Sequence, residues 1–167
     1  MCIRDRVWGA GLQGNELVRS LGLELQRGNR IAVEADLTLP DHPEVYVLGD
    51  VAAITDAETG QVLPQLGSVA LQSGEHAGET IARRIAGKAT KPFRYRDKGT
   101  MAMIGRGAAV VQMLGGSTMT GRRAQAAWAG VHLALLPTNE DRAKAVIDWA
   151  GATFTHQRVG RITIDDE

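Results

Sequence analysis

The fold is decided by the stretch Val45-Tyr46-Val47-Leu48-Gly49-Asp50-Val51-Ala52. Four apolar residues run without polar interruption into a Gly-Asp pair, which is typical of a strand buried on both faces of a parallel sheet. Open α/β sheets bind ligands beyond the carboxyl ends of their strands, where a glycine lets the backbone approach closely. The stretch therefore predicts that Asp50 accepts a hydrogen bond from a ligand hydroxyl. A simple strand-ending turn is the alternative interpretation of the dipeptide taken alone.

Composition excludes several classes of function. The 167 residues suffice for one ordinary core, and 19 basic and 19 acidic residues give no overall field that would attract nucleic acid. The single cysteine, Cys2, excludes a disulfide framework, and the four histidines lie too far apart for metal-ligand spacing. No apolar run reaches the roughly 18 residues of a membrane-spanning helix. We expect no metal site and assign no catalytic side chain.

The N-terminal residues divide into two parts. Residues 1–6 resemble translated adapter sequence and are excluded from fold reasoning, so the chain is expected to be a C-terminal fragment, inactive alone. The glycines Gly9, Gly11 and Gly14 match the G-x-G-x-x-G spacing only formally, because neither a complete strand nor a long helix flanks them. A short helix is expected to follow, with Asn15 as its N-cap and Gly22 at its end.

A long helix is predicted from about Gly67 to Ala86, ended by Gly87. Its N-terminus would present free N–H groups to an anionic group. The small and apolar residues expected to form its buried stripe are Leu66, Ala70, Gly74, Ala77, Gly78, Ile81 and Ile85. Ser68, Gln72 and His76 share another face, which is either a solvated polar stripe or part of a site.

The C-terminal half is predicted to contain a β-hairpin or meander and two helices. Phe93 and Tyr95 alternate with arginines before a turn at Gly99, and an apolar strand follows. An apolar helix is expected over residues 124–136, and a second helix begins near Asn139. Periodicity alone favours packing in a core, and the alternative is a location in the membrane interface, where tryptophans anchor.

Several motifs carry a family resemblance. Residues 28–52, ending in Gly49-Asp50, resemble the second flavin-binding signature of the flavoproteins with two dinucleotide-binding domains. Three later motifs are Pro64-x-x-x-Ser68-x-Ala70-x-Gln72, Phe93-x-Tyr95-x-x-x-Gly99-x-Met101-Ala102-x-Ile104-Gly105 and Ala127-Trp128-x-x-x-His132-Leu133. In this order they resemble the type II NADH:quinone oxidoreductases. Ser68 stands where that family has the first of two glutamines.

The resemblance implies an α/β fold: the C-terminal part of a FAD/NAD(P)-binding, Rossmann-like two-domain flavoprotein, followed by a β-hairpin and C-terminal amphipathic helices. It implies that residues 7–90 belong to the nucleotide-binding domains and residues 91–167 to a hairpin and membrane-docking region.

The resemblance also implies the chemistry and the partners. FAD would pass electrons from NADH to a membrane quinone without proton pumping. The implied cofactor-binding residues are Gly49, Asp50, Gly67, Ser68, Gly9, Ala10 and Gly11, and Gln72 with Ser68 would line the quinone side. The enzyme would sit peripherally on the cytoplasmic face of the cell membrane, with a homodimer allowed and no nucleic acid bound. Two alternatives stay open: a soluble FAD/NAD(P)H reductase with another acceptor, and a noncatalytic membrane-surface module.

Overall fold

The computed structural model describes residues 11–155, which divide into two compact units. The N-terminal unit extends to Asp97 and the C-terminal unit begins at Lys98. The leader-like residues 1–6 and the predicted cofactor residues Gly9 and Ala10 lie outside the described residues. The predicted division after residue 90 stays a prediction about the complete protein.

The N-terminal unit begins with the short helix α1, Glu16–Ser20. The Asn15 side chain accepts a hydrogen bond from the N–H of Leu17 at 2.9 Å, so the predicted N-cap is confirmed. The chain leaves the helix through Gly22 with φ of +68°, as predicted.

Five short strands follow in the N-terminal unit. They are β1 (Leu25–Gln26), β2 (Arg30–Ala32), β3 (Thr38–Leu39), β4 (His42–Tyr46) and β5 (Ala52–Ala53). Strands β1, β2 and β5 form one sheet in that order, with β2 and β5 parallel, and β3 pairs with β4 as an antiparallel hairpin. The mixed α/β architecture predicted from sequence is confirmed.

The predicted strand buried on both faces over residues 45–48 is wrong. Strand β4 ends at Tyr46, and among residues 11–155 it pairs only with β3; Val45 is 41% exposed. The parallel pairing falls instead on β5, after a 3-10 turn over Gly49–Val51. The left-handed Gly49 turns the chain before it joins the parallel sheet, so Val45 and Tyr46 lie in the β3–β4 hairpin and Ala52 and Ala53 lie in the sheet with β2.

Helix α2 spans Gly67–Ile85 and ends through Gly87 with φ of +65°, as predicted. The predicted buried face of this helix is wrong. The helix buries Val69, Ser73, Ala77 and Thr80, of which only Ala77 belonged to the predicted stripe. Ser73 can be buried because its hydroxyl donates to the Ala70 carbonyl at 2.9 Å.

The other face of α2 is open. Ile81 and Ile85 are 41% and 84% exposed. A Cβ added at Gly74 or Gly78 would meet no atom within 4 Å, so no backbone packs closely there in the described chain.

The C-terminal unit is a three-stranded meander followed by two helices. The strands are β6 (Thr100–Gly105), β7 (Ala108–Gln112) and β8 (Thr118–Thr120), and the helices are α3 (Gly121–Leu135) and α4 (Asn139–Thr155). The predicted meander and helix pair are confirmed, but Phe93 and Tyr95 lie in no strand. The hairpin turn therefore falls after Gly105 rather than at Gly99.

The core of the C-terminal unit is small. Ala109, Val111 and Ala124 are its buried members, and Trp128 on α3 stacks on His132 at 3.9 Å and approaches Trp149 on α4 at 5.6 Å. The prediction that these apolar helices pack in a core is therefore only partly confirmed. No helix among residues 11–155 is long and apolar enough to cross a membrane.

Candidate functional site

The predicted Gly49-Asp50 site is a tight turn pressed against α2. Gly49 adopts φ of +63°, and a Cβ there would lie 3.3 Å from the Ala70 Cβ. Its N–H donates to the buried Ser73 hydroxyl at 3.2 Å. Glycine is required for both the left-handed backbone and the close approach. The turn is thereby fixed to the second turn of the helix.

Asp50 projects from this turn with an exposed side chain. Its backbone carbonyl accepts a hydrogen bond from Gln65 Nε2 at 2.9 Å, which ties the turn to the residues leading into α2. The backbone of the turn is therefore anchored while the carboxylate faces solvent, an arrangement suited to accepting hydrogen bonds from a polyhydroxy ligand.

Arg30 is a buried residue near the same turn, and it is not among the site residues predicted from the sequence. It is only 8% exposed, and its guanidinium donates to the Ala52 carbonyl through Nε at 3.1 Å and to the Leu63 carbonyl through Nη2 at 2.9 Å. Burial lowers the pKa of Arg30, and the negative charge of Asp50 opposes that shift. The signal available in the sequence was a charged residue at the start of the apolar strand β2.

The first turns of α2 lie beside the Gly49-Asp50 turn. Leu66 provides no side-chain cap, so the first N–H groups of the helix keep their capacity to bind an acceptor. Gly67 is exposed and adds no side chain that would shield them. The Ser68 hydroxyl shares a hydrogen bond with the Tyr95 hydroxyl at 2.8 Å.

The polar stripe of α2, formed by Ser68, Gln72 and His76, is half-buried rather than fully solvated. The segment of residues 93–96, here called the aromatic segment, runs along it. Gln72 pairs with the backbone of Arg96, and the His76 ring meets the Phe93 ring edge-on at 5.5 Å. The structure therefore brings Ser68, Gln72 and the aromatic segment together on one side of α2.

Gly11 does not join this arrangement through any described contact. It is exposed with φ of +76°, and a Cβ there would meet no atom within 4 Å. The Gly14 N–H donates to the Gly28 carbonyl at 2.7 Å, so Gly14 is held against the turn between β1 and β2. The helix that follows has five residues, which is too short for a phosphate-binding G-x-G-x-x-G unit.

An ion pair lies on another side of the N-terminal unit. Asp36 accepts hydrogen bonds from the Thr38 hydroxyl at 2.7 Å and from Arg84, whose guanidinium also lies over the Tyr46 ring. Burial opposes ionisation of Asp36, but the Thr38 hydrogen bonds and the Arg84 charge outweigh it and lower its pKa. Arg84 also donates to the Pro43 carbonyl at 2.6 Å, so this contact holds the β3–β4 hairpin to α2.

The chain is similar in sequence to several curated proteins. The chain is 33% identical over 169 residues to the type II NADH:quinone oxidoreductase Ndh of Mycobacterium tuberculosis, an alignment that covers 97% of this chain and 35% of the relative. It is 34% identical over 120 residues to the type II NADH:quinone oxidoreductase of Staphylococcus haemolyticus, covering 71% of this chain and 29% of the relative. The chain thus spans about a third of the length of the curated relatives it matches. No protein-family model matches it.

A solved structure supports the fold assignment. NDH2 from Plasmodium falciparum, determined in complex with NADH, aligns with 88% of this chain and 44% of its own at a TM-score of 0.72 and 14% identity. At that identity the likeness shows the fold alone, and it confirms the predicted α/β class.

Proposed function

Because the chain belongs with the type II NADH:quinone oxidoreductases in sequence and in fold, we propose that it is part of a flavoprotein that passes electrons from NADH to a quinone. The observation that carries this proposal is the alignment of 97% of the chain with a curated enzyme of that name. The site geometry supports it independently, because the anchored Gly49-Asp50 turn lies beside the start of α2.

The residues present fit FAD. The exposed Asp50 carboxylate can accept hydrogen bonds from ribityl hydroxyls, and Gly49 lets the turn that carries it pack closely on α2. The uncapped N–H groups near Gly67 and Ser68 suit the polar edge of the flavin ring and favour negative charge there. When bound, FAD supplies the two-electron redox chemistry, and the protein supplies binding and orientation.

The side of α2 that bears Ser68 and Gln72 is proposed as the quinone side. Ser68 and Tyr95 offer two hydroxyls joined by one hydrogen bond, which leaves donor capacity for a carbonyl oxygen of a quinone. Gln72 uses one N–H and one lone pair on Arg96, so it retains a second N–H for a ligand. The roles of Gly9, Ala10 and Gly11 along the nicotinamide path stay predictions.

Attachment to a membrane surface is proposed for the C-terminal unit. Large apolar side chains there are exposed in the described chain: Met103, Ile104, Met113, Leu114, Val131, Leu135, Val146 and Ile147. Together with Trp128 and Trp149 they suit a peripheral enzyme that takes a quinone from the bilayer. We propose that the enzyme lies at the cytoplasmic face of the membrane and pumps no protons. A homodimer is compatible with this arrangement.

The test of the cofactor assignment is the substitution Asp50→Ala in the full-length protein that carries this chain. We expect the flavin content after purification to fall severalfold, with the unfolding temperature of the apoprotein unchanged because Asp50 is exposed. Asp41→Ala, at another exposed aspartate, is the matched control. Unchanged flavin occupancy in Asp50→Ala would show that the assigned role is wrong.

A further inference from the structure

Arg30 joins two segments that are distant in sequence and adjacent at the proposed cofactor site. Its guanidinium donates to the carbonyls of Ala52, just after the Gly49-Asp50 turn, and Leu63, just before the chain enters α2. Between them, residues 54–63 double back, with the Leu63 N–H donating to the Ile54 carbonyl at 2.8 Å. One guanidinium therefore fixes the separation of the Asp50 turn and the approach to α2.

The energetics of Arg30 argue against a purely stabilising role. Arg30 is 8% exposed, and its side-chain hydrogen bonds in the described part of the chain go to backbone carbonyls. Burying an unpaired guanidinium is costly, and apolar residues of similar volume commonly give equal or greater stability. Its bonds to carbonyls offset the cost, because charge-assisted hydrogen bonds are stronger than neutral ones. The arginine gives geometry and charge that an apolar residue cannot.

The Arg30 guanidinium and the Asp50 carboxylate attract each other. The two groups are close enough for Asp50 to favour the protonated form of Arg30. Gln65 and Ser73 hold the turn from two further sides, through the Asp50 carbonyl and the Gly49 N–H.

We propose that Arg30 is a positioning residue for the cofactor, which holds the Asp50 turn at a fixed distance from the start of α2. This inference rests on the proposed function, because it assigns Arg30 to the same flavin site. It predicts that the fork of the guanidinium matters as well as its charge. A lysine keeps the charge but cannot donate to both carbonyls in the same geometry.

The test compares Arg30→Lys with wild type in the full-length protein, and Arg27→Lys, at an exposed arginine in the turn between β1 and β2, is the control. FAD is titrated into deflavinated protein, and amide hydrogen exchange is followed by mass spectrometry without flavin. We expect Arg30→Lys to weaken FAD binding about tenfold and to speed exchange only in residues 50–54 and 63–66. The amides in the middle of α2 should keep their protection.

Three results would overturn the proposal. One is an unchanged FAD dissociation constant in Arg30→Lys when wild type binds FAD normally, which rejects this inference and leaves the proposed function standing. Another is faster exchange throughout the N-terminal unit, which would indicate a structural role alone. The third is a wild-type protein that binds no FAD, which would reject the proposed function as well.

If Arg30→Lys does not fold, wild type alone decides the question. FAD should then slow exchange in residues 50–54 and in Leu63 together, because Arg30 couples the two segments. Protection confined to residues 50–54 would contradict the proposal.

Discussion

The side-chain amide of Gln72 pairs with both backbone polar groups of Arg96. Its Nε2 donates to the Arg96 carbonyl at 3.0 Å and its Oε1 accepts from the Arg96 N–H at 3.0 Å. The residue predicted from family resemblance to face a quinone thus also holds the aromatic segment on α2. Any substitution at this position will change the shape of the proposed quinone side as well as its chemistry.

Replacing Gln72 with alanine is expected to lower the free energy of unfolding by about 1 kcal/mol, because two partly exposed hydrogen bonds are lost. Gln72→Glu keeps the acceptor for the Arg96 N–H but faces the Arg96 carbonyl with a carboxylate, so it should be no more stable than the alanine variant. Urea unfolding measures both, with Glu75→Ala on the exposed face of α2 as the control. A Gln72→Glu variant as stable as wild type would contradict the paired geometry.

Gly49 and Gly60 provide a matched pair. Both adopt left-handed backbone, with φ of +63° and +67°, but only at Gly49 would a Cβ meet a neighbour, the Ala70 Cβ at 3.3 Å. Each alanine variant should lose about 1 kcal/mol to backbone strain. Gly49→Ala should lose more and should also lower flavin content, whereas Gly60→Ala should retain it. Equal thermal shifts and equal flavin content would contradict the close contact with α2.

The Asp36 carboxylate predicts a specific acid sensitivity. Its pKa in the folded protein lies below the ordinary value of 3.8, so the folded state binds fewer protons than the unfolded state near that pH. The stability that ionised Asp36 contributes is therefore complete above pH 3.8 and is lost as the pH falls through the lower folded value.

The substitution Asp36→Asn measures that contribution. It should cost about 0.5–1 kcal/mol at pH 7, since the ion pair with Arg84 is partly exposed, and the difference from wild type should shrink below pH 4. Denaturant unfolding across this range tests it, with the exposed Asp41→Asn as a control. A difference that stays constant with pH would show that the charge of Asp36 is not responsible.

Membrane attachment is tested at Ile104, which is 77% exposed. Ile104→Glu should weaken co-sedimentation with vesicles of anionic lipid by more than about tenfold, because it removes an apolar contact of about 1.5–3 kcal/mol and adds a negative charge. Gln112→Glu makes the same change of charge at an exposed strand residue and should bind nearly as wild type. Wild-type protein that stays in the supernatant would instead support the soluble reductase.

The sequence predicted those elements whose signals are local. Helix α1 begins after Asn15 and ends before Gly22, and α2 ends before Gly87. These limits were predictable because capping depends on a few neighbouring residues. The start of α4 near Asn139 follows from the same logic, since the Thr138 hydroxyl accepts from the Asp141 N–H at 3.1 Å. Such signals need no knowledge of what the element packs against.

The failures involve partners far away in sequence. The apolar run ending at Leu48 could not reveal that Tyr46 belongs to a hairpin while Ala52 joins the parallel sheet. Ser73 and Thr80 were overlooked as buried residues because their hydroxyl partners became visible only in the folded helix. Arg30 bonds to carbonyls, and carbonyls belong to every residue, so no side-chain pattern identifies its acceptors.

The most direct test of the proposed function is the visible absorption spectrum of the full-length protein, recorded first as purified, then after NADH, and then after a soluble quinone. We predict a flavin spectrum that is bleached by NADH and restored by the quinone. A flavin that NADH bleaches and quinone does not restore would point to a reductase with another acceptor. A colourless protein that binds no added FAD would contradict the account and favour the noncatalytic membrane-surface module.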